Sequence, residues 1–249
     1  MPVMDEFREE REALKHGTLK QKLSYFMDYY KWYVIITVIA LAIVVSSIVQ
    51  RLNRKETALY VCLLNAYTQE AEGYAAGFAE FADIDLDSYD VILDTSMTIR
   101  AGEMDENNIA SAQRVLLYIS AAELDVMISD AETARGYANN DYFYDLREFL
   151  TQWQIERYEP YFYYIDMKVV QEWRTAMDND DVSYVPSYPD PRKPEEMEQP
   201  VPVGIYLDNS EMLRNKFYFI SDDVVLTVLV NTTRPETVRQ FINYVMAEP

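Results

Sequence analysis

The chain predicts an α/β domain behind a single apolar membrane helix, and three observations lead there. Residues 32–50, WYVIITVIALAIVVSSIVQ, run for nineteen positions without a charge between Lys31 and Arg51. After Lys55, short continuous apolar runs alternate with stretches of helical spacing, as strands and helices do in a parallel sheet. The charge changes sign at the same place: residues 1–55 carry nine basic and six acidic side chains, residues 56–249 thirteen and thirty-six, within a net charge of −20. The expected fold class is α/β, a single transmembrane helix followed by an extracytoplasmic three-layer domain with a mostly parallel sheet.

The chain divides into three segments: a cytoplasmic amphipathic segment over 1–31, the membrane helix over 32–50, and the outer domain over 51–249. In the first, Arg8, Glu9, Glu10, Arg11, Glu12 and Lys15 interleave as on a solvated helix. Gly17 breaks that helix and Thr18 can cap a second one, with Leu19, Leu23, Phe26, Met27 and Tyr30 on one face. That second helix reads either as lying on the inner leaflet or as a plain cytosolic extension of the span. A helix over 32–50 covers about 28 Å at 1.5 Å per residue, close to the roughly 30 Å of a bilayer's hydrocarbon core. Tyr29, Tyr30, Trp32 and Tyr33 crowd its first turns, where aromatic rings meet headgroups. The run is too long and too far from the start for a cleaved secretory signal, and Val61 before Cys62 is not the small residue of a lipoprotein site. Six basic residues precede the span and three follow it closely, which puts the N-terminus in the cytoplasm and the C-terminal domain outside.

Beyond Lys55 the period changes. Thr57 to Asn65 (TALYVCLLN) reads as a strand buried on both faces. Helical spacing returns over Gln69 to Phe81, Tyr89 to Leu93 is a second strand, and Glu106 to Ala122 is a helix with Ile109, Ala112, Leu116, Ile119 and Ser120 turned inward. Leu124 to Ile128 (LDVMI) is the third strand. Short connections between these elements argue for parallel strands with right-handed crossovers. Val201 to Leu207 reads as a further strand, with Ser210 capping a short helical turn after it.

Leu124 to Leu150, LDVMISDAETARGYANNDYFYDLREFL, resembles the signature region of extracellular solute-binding proteins of the type 2 periplasmic-binding fold, with Asp145 and Leu146 at its closing step. Asp223 to Met246 (DVVLTVLVNTTRPETVRQFINYVM) is similar to the strand and helix that close the first lobe of that family. The resemblance implies a solute-binding lobe that serves a transporter. A complete member has two lobes, whereas only about Thr151 to Gln199 is available here for a second. Pro186, Pro189, Pro191, Pro194, Pro200 and Pro202 turn much of that stretch into an extended connector at about 184–202. A reduced, membrane-anchored single lobe is the expectation.

The chemistry is narrow. His16 and Cys62 are the only histidine and cysteine, and His16 is placed on the cytoplasmic side, so the outer domain has no Ser-His-Asp or Cys-His nucleophile and no His/Cys zinc site. No phosphate-cradling glycine loop occurs. Asp83, Asp85 and Asp87 have the alternate spacing of a calcium loop, but Ser88 stands at the turn glycine and Asp94 where a glutamate is expected. Asp178, Asp180 and Asp181 carry no better pattern. The tyrosine run YEPYFYY over 158–164 suits either stacking on a ligand or core packing. The acidic outer domain repels nucleic acid and anionic headgroups. The reading is binding without catalysis or cofactor, with membrane lipid around 32–50 as one partner. A small-molecule ligand is expected as the other; the alternative is a structural or interaction role, docking onto another protein of the envelope. Since parallel strands present their carboxyl ends at one edge, the candidate ligand-binding residues are Asn65, Tyr67, Ser96 with Met97 beside it, Ser129 and Asp130. Asp130 can equally cap the helix after it.

Overall fold

Apolar residues on both sides of a strand need cover on both sides, and the first strand shows how that cover is built. In the computed structural model, which describes residues 18, 32–46, 49, 55–100, 105–181 and 183–247, strand β1 is Glu56–Leu63. Leu59, Val61 and Leu63 enter one apolar core, and Tyr60, Cys62 and Leu64 enter another on the opposite face. The strand alternation thus divides one continuous run between two cores, which makes the unit three-layered.

The sheet has six strands in the order β3-β1-β4-β8-β6-β5: β3 (Tyr89–Asp94), β4 (Val126–Asp130), β5 (Phe162–Asp166), β6 (Pro200–Tyr206) and β8 (Val224–Val228). β1 pairs in parallel with β3 on one side and β4 on the other. The pairs β4–β8, β8–β6 and β6–β5 are antiparallel, so the sheet is mixed with its parallel part at β3-β1-β4. A separate ribbon pairs β2 (Ala66–Tyr67) with β7 (Tyr218–Phe219). Numbering the apolar helix at residues 32–46 as α1, the helices are α2 (Ala71–Phe81), α3 (Glu106–Ser120), α4 (Ala131–Ala138), α5 (Leu146–Phe149), α6 (Gln152–Tyr158), α7 (Met167–Asp178), α8 (Glu211–Lys216) and α9 (Pro235–Val245). Tyr74 and Phe78 of α2 meet Phe241 and Tyr244 of α9 over one face of the sheet. Val115 and Ile119 of α3, Ala134 of α4 and Val170 of α7 cover the other.

Local sequence explains the helix starts. Asp105, Asp130, Asp145, Thr151, Asp166 and Ser210 each accept a backbone N–H in the helical turn directly after them, and Thr151 with Gln154 forms a reciprocal capping box. Asp166 does more, since its buried carboxylate also accepts the amides of Glu198 and Gln199 and so closes the β5–β6 corner. Gly204 is where β6 comes too close to β8 for a side chain: a Cβ there would stand 2.5 Å from Val225 Cγ1.

Residues 151–178, too short a stretch for a second lobe, form α6, β5 and α7 of the same compact unit, Lys55–Pro249. Other expectations are refined or changed. Tyr158, Phe162 and Tyr163 of the tyrosine run are buried core. On α3 the inward pair is Val115 and Ile119, whereas Ile109, Leu116 and Ser120 are exposed, because the sheet contacts a face about one residue round from the expected one. Among the described residues no helix is long and apolar enough to cross a membrane. The continuous described part of α1, residues 32–46, spans about 22 Å at 1.5 Å per residue. Residues 47, 48 and 50 and, apart from Thr18, the segment 1–31 with His16, expected to be cytoplasmic, lie outside the described residues.

One buried ion pair joins the halves of the sheet. Asp125 is 0% exposed, and Arg234 Nε donates to its two oxygens at 3.0 and 2.8 Å. Replacing either partner alone leaves a buried charge uncompensated. Arg234→Ala and Asp125→Ala are each expected to cost about 3–5 kcal/mol in urea unfolding of a 55–249 fragment. The double change to Asp125→Leu and Arg234→Met should cost less than the two single changes together; strict additivity would refute the coupling.

Candidate functional site

The edge where β1 and β4 end is where the strand order reverses, since β1 is followed outward by β3 on one side and by β4 on the other. Helical crossovers leave in opposite directions from such a point and open a crevice between them. A cleft of about 840 Å³ lies there, within the roughly 300–1,000 Å³ usual for small-ligand pockets.

Its floor is built from Asn65 and Asp130. Asn65 has φ 57°, a left-handed turn that asparagine tolerates, and it swings the chain out of β1. Asn65 Oδ1 accepts the Ile99 amide at 3.0 Å, while Nδ2 donates to Ile99 O at 2.7 Å and to Asp130 Oδ2 at 3.3 Å. Asp130 also accepts from Thr133 N and Thr133 Oγ1, each at 2.8 Å, so its carboxylate caps α4. The two residues expected at the strand ends therefore meet, and they bind each other.

The walls come from places far apart in the sequence. Tyr163 of β5 donates to Ala131 O at 3.0 Å and packs edge-on against Tyr206 of β6. Burial raises both phenols above their ordinary value, Tyr206 to about 12 despite the opposing charge of Arg192, so both stay protonated at neutral pH. The Arg192 guanidinium lies 3.5 Å over the Tyr206 ring and bridges Asp208 at 2.7 Å and Asp223 at 3.2 Å. It thereby ties the proline-rich connector to the loop before β8. Phe219 of β7 and Ile220 of that loop, with Arg100 and Arg135, complete a lining that carries both signs of charge.

The other expected residues stand elsewhere. Ser129 is fully buried within β4 and donates to the Asp130 carbonyl at 3.1 Å, and it does not line the cleft. Tyr67 is 54% exposed on the β2–β7 ribbon, outside the cleft lining. Ser96 and Met97 line a separate depression beside α3, where Ser96 accepts from Arg114. Beneath it, burial works to raise the Asp94 carboxyl, but hydrogen bonds from Ser96 and Tyr60 and the Arg114 charge outweigh burial and hold it below its ordinary value. No group of three metal-ligating side chains occurs among the described residues; Asp85 instead accepts from Ser88 Oγ and the Asp87 amide in a local turn. Nothing in the local sequence marks Arg192, Arg135, Tyr206 or Phe219 as cleft residues. Arg192 alone falls within the proline-rich stretch, whose composition points to a connector and not to a wall.

If Asp130 acts as a cap, Asp130→Ala should lower urea stability by about 0.5–2 kcal/mol while Asp130→Asn stays within a few tenths. Equal losses in both variants would show that the charge, and not the cap, is what matters. Compared with models of known protein families, with curated proteins and with solved structures, the chain matches none.

Proposed function

We propose that this chain is a membrane-anchored binding protein whose outer α/β unit, a single lobe related to the extracellular solute-binding family, holds a small polar solute in the cleft at the ends of β1 and β4 and serves a transporter. The observation that carries this reading is the cleft's position at the reversal of strand order, where open α/β sheets take ligands. The lining supports binding over catalysis. Its phenols are held protonated, and Asp130, which could otherwise serve as a base, is occupied with Thr133 and Asn65. Paired charges and two tyrosines suit a ligand that is polar and compact.

The anchor is residues 32–50, with 1–31 in the cytoplasm and 51–249 outside. Two features support it: nineteen residues without a charge, and exposed apolar side chains along α1, with Trp32 66% and Ile36 62% exposed. A helix that is apolar all round needs an apolar solvent. Protease added to intact cells should digest the outer unit and spare the segment before the span. Full protection of that unit would reverse the orientation or remove the anchor.

A second reading, docking onto another envelope or membrane protein, draws on the ribbon beside the cleft. Tyr67 and Tyr218 are paired across it and are 54% and 69% exposed, with Ile220 close in sequence and 59% exposed. Native mass spectrometry of the full-length protein separates the two. A co-purified small molecule that is lost in Arg135→Gln and Asn65→Asp supports solute binding; an empty cleft, with a protein partner lost on Tyr67→Ser and Tyr218→Ser, supports docking.

A further inference from the structure

The cleft at the ends of β1 and β4 already holds a cation on one wall, and that cation belongs to the chain itself. The Arg192 guanidinium lies 3.5 Å over the Tyr206 ring, and its Nη2 meets Asp208 at 2.7 Å and Asp223 at 3.2 Å. A ring face beside two carboxylates is a setting that suits any positively charged nitrogen group. The ring is held from behind by Tyr163, which packs edge-on against it, so its position does not depend on Arg192. The Arg192 side chain is 43% exposed and that of Asp223 67%, and ion pairs so open to water are weak enough to exchange. The backbone beneath has other supports. Tyr164 N donates to Pro191 O at 3.1 Å, Arg192 N to Asp190 Oδ1 at 3.0 Å and Lys193 N to Asp190 O at 2.9 Å, so the connector stays seated when the guanidinium swings away.

We infer that this wall is a cation subsite, that the solute carries one primary amine or guanidinium group, and that Arg192 is the resident competitor it displaces. The inference rests on the solute-binding reading and names the chemistry of that solute. Charge selects the sign. Four carboxylates stand against three guanidinium groups in the cleft lining, and Asp208 adds a further carboxylate beside it. The surrounding unit carries thirty-six acidic and thirteen basic side chains over 56–249. A field of that sign concentrates cations in a cleft and opposes anions. Exchanging one cation for another leaves Asp208, Asp223 and the Tyr206 ring with a partner, while the released Arg192 side chain returns to water. The rest of the solute shares the cleft with Arg135, whose one carboxylate partner, Glu132, stands at 3.8 Å, so hydrogen-bond acceptors are favoured there.

Calorimetric titration of the full-length protein with three probes of similar shape tests this. Acetyl-argininamide and acetyl-lysinamide each carry one positive charge, and acetyl-citrullinamide is the uncharged counterpart of the first. At least one cation should bind saturably, about tenfold or more tighter than the citrulline compound. Arg192→Ala should tighten that binding about tenfold by removing the competitor, and Asp223→Asn should weaken it about threefold or more. Circular dichroism checks folding, and Arg192→Gln replaces Arg192→Ala if the latter does not fold. The inference is overturned if neither cation binds the unaltered protein, if the citrulline compound binds as tightly, or if affinity is unchanged in the folded Arg192 or Asp223 variant. Binding confined to the Arg192 variant also overturns it, since a vacated ion pair would explain that alone. Native mass spectrometry keeps the two readings apart: a neutral or anionic molecule that co-purifies and is lost in Arg135→Gln upholds solute binding and removes only the cation, whereas no co-purified molecule and no titration remove both.

Discussion

The Asp125–Arg234 pair is the constraint on which the rest of the α/β unit depends. Asp125 directly precedes β4, shares backbone hydrogen bonds with Tyr60 of β1 and Leu229 after β8, and has its carboxylate filled by Tyr60 N, Thr232 Oγ1 and Arg234 Nε. The remaining guanidinium nitrogens reach Thr57 O at the start of β1 and Glu123 O before β4. A parallel pair and an antiparallel pair thus share one charged knot. Because the knot lies at the amino end of β1 and β4, it leaves their carboxyl ends free to diverge. Buried ion pairs contribute little net stability against an apolar substitute but penalise any arrangement that separates them. The pair is satisfied in the register in which β8 stands against β4 here, with Val126 opposite Val228.

The cleft is then a consequence of what happens at the opposite ends of those strands. Asn65 and Asp130 close the floor, and the walls are supplied by the connector and by the loop before β8, brought together through Arg192. Pro200 and Pro202 of the proline-rich stretch pair with β5 as the start of β6, whereas the part before them lies along the edge of the sheet, where Tyr164 N donates to Pro191 O. The same stretch contributes Tyr188 to a groove along the flank of α4. Its stiffness makes the connector part of the walls of both depressions instead of a link between lobes.

Much of the fold is legible in the sequence because it is local. Thr57 to Asn65, Tyr89 to Leu93 and Leu124 to Ile128 read as strands from short, largely apolar runs, and the helix caps at Asp130 and Ser210 read from side-chain chemistry one turn away. Asn65 and Asp130 are legible as a pair because strand order alone places strand ends together. The elements of residues 151–178 are not legible, because β5 and α7 take their stability from neighbours distant in sequence: Tyr163 from Tyr206 and Ala131, Asp166 from Glu198 and Gln199.

By itself, the sequence determined the uncharged run over 32–50, the α/β class of residues 56–249, and the lack of imidazole or paired thiols beyond Lys55, since these depend on composition and on periods of two and 3.6 residues. Only the tertiary structure decided that β8 runs against β4, that Ser129 is buried while Asp130 lines the cleft, and that Arg192 and Tyr206 meet there. Those outcomes rest on pairing direction and on contacts across tens of residues, which alternate spacing along one strand cannot encode.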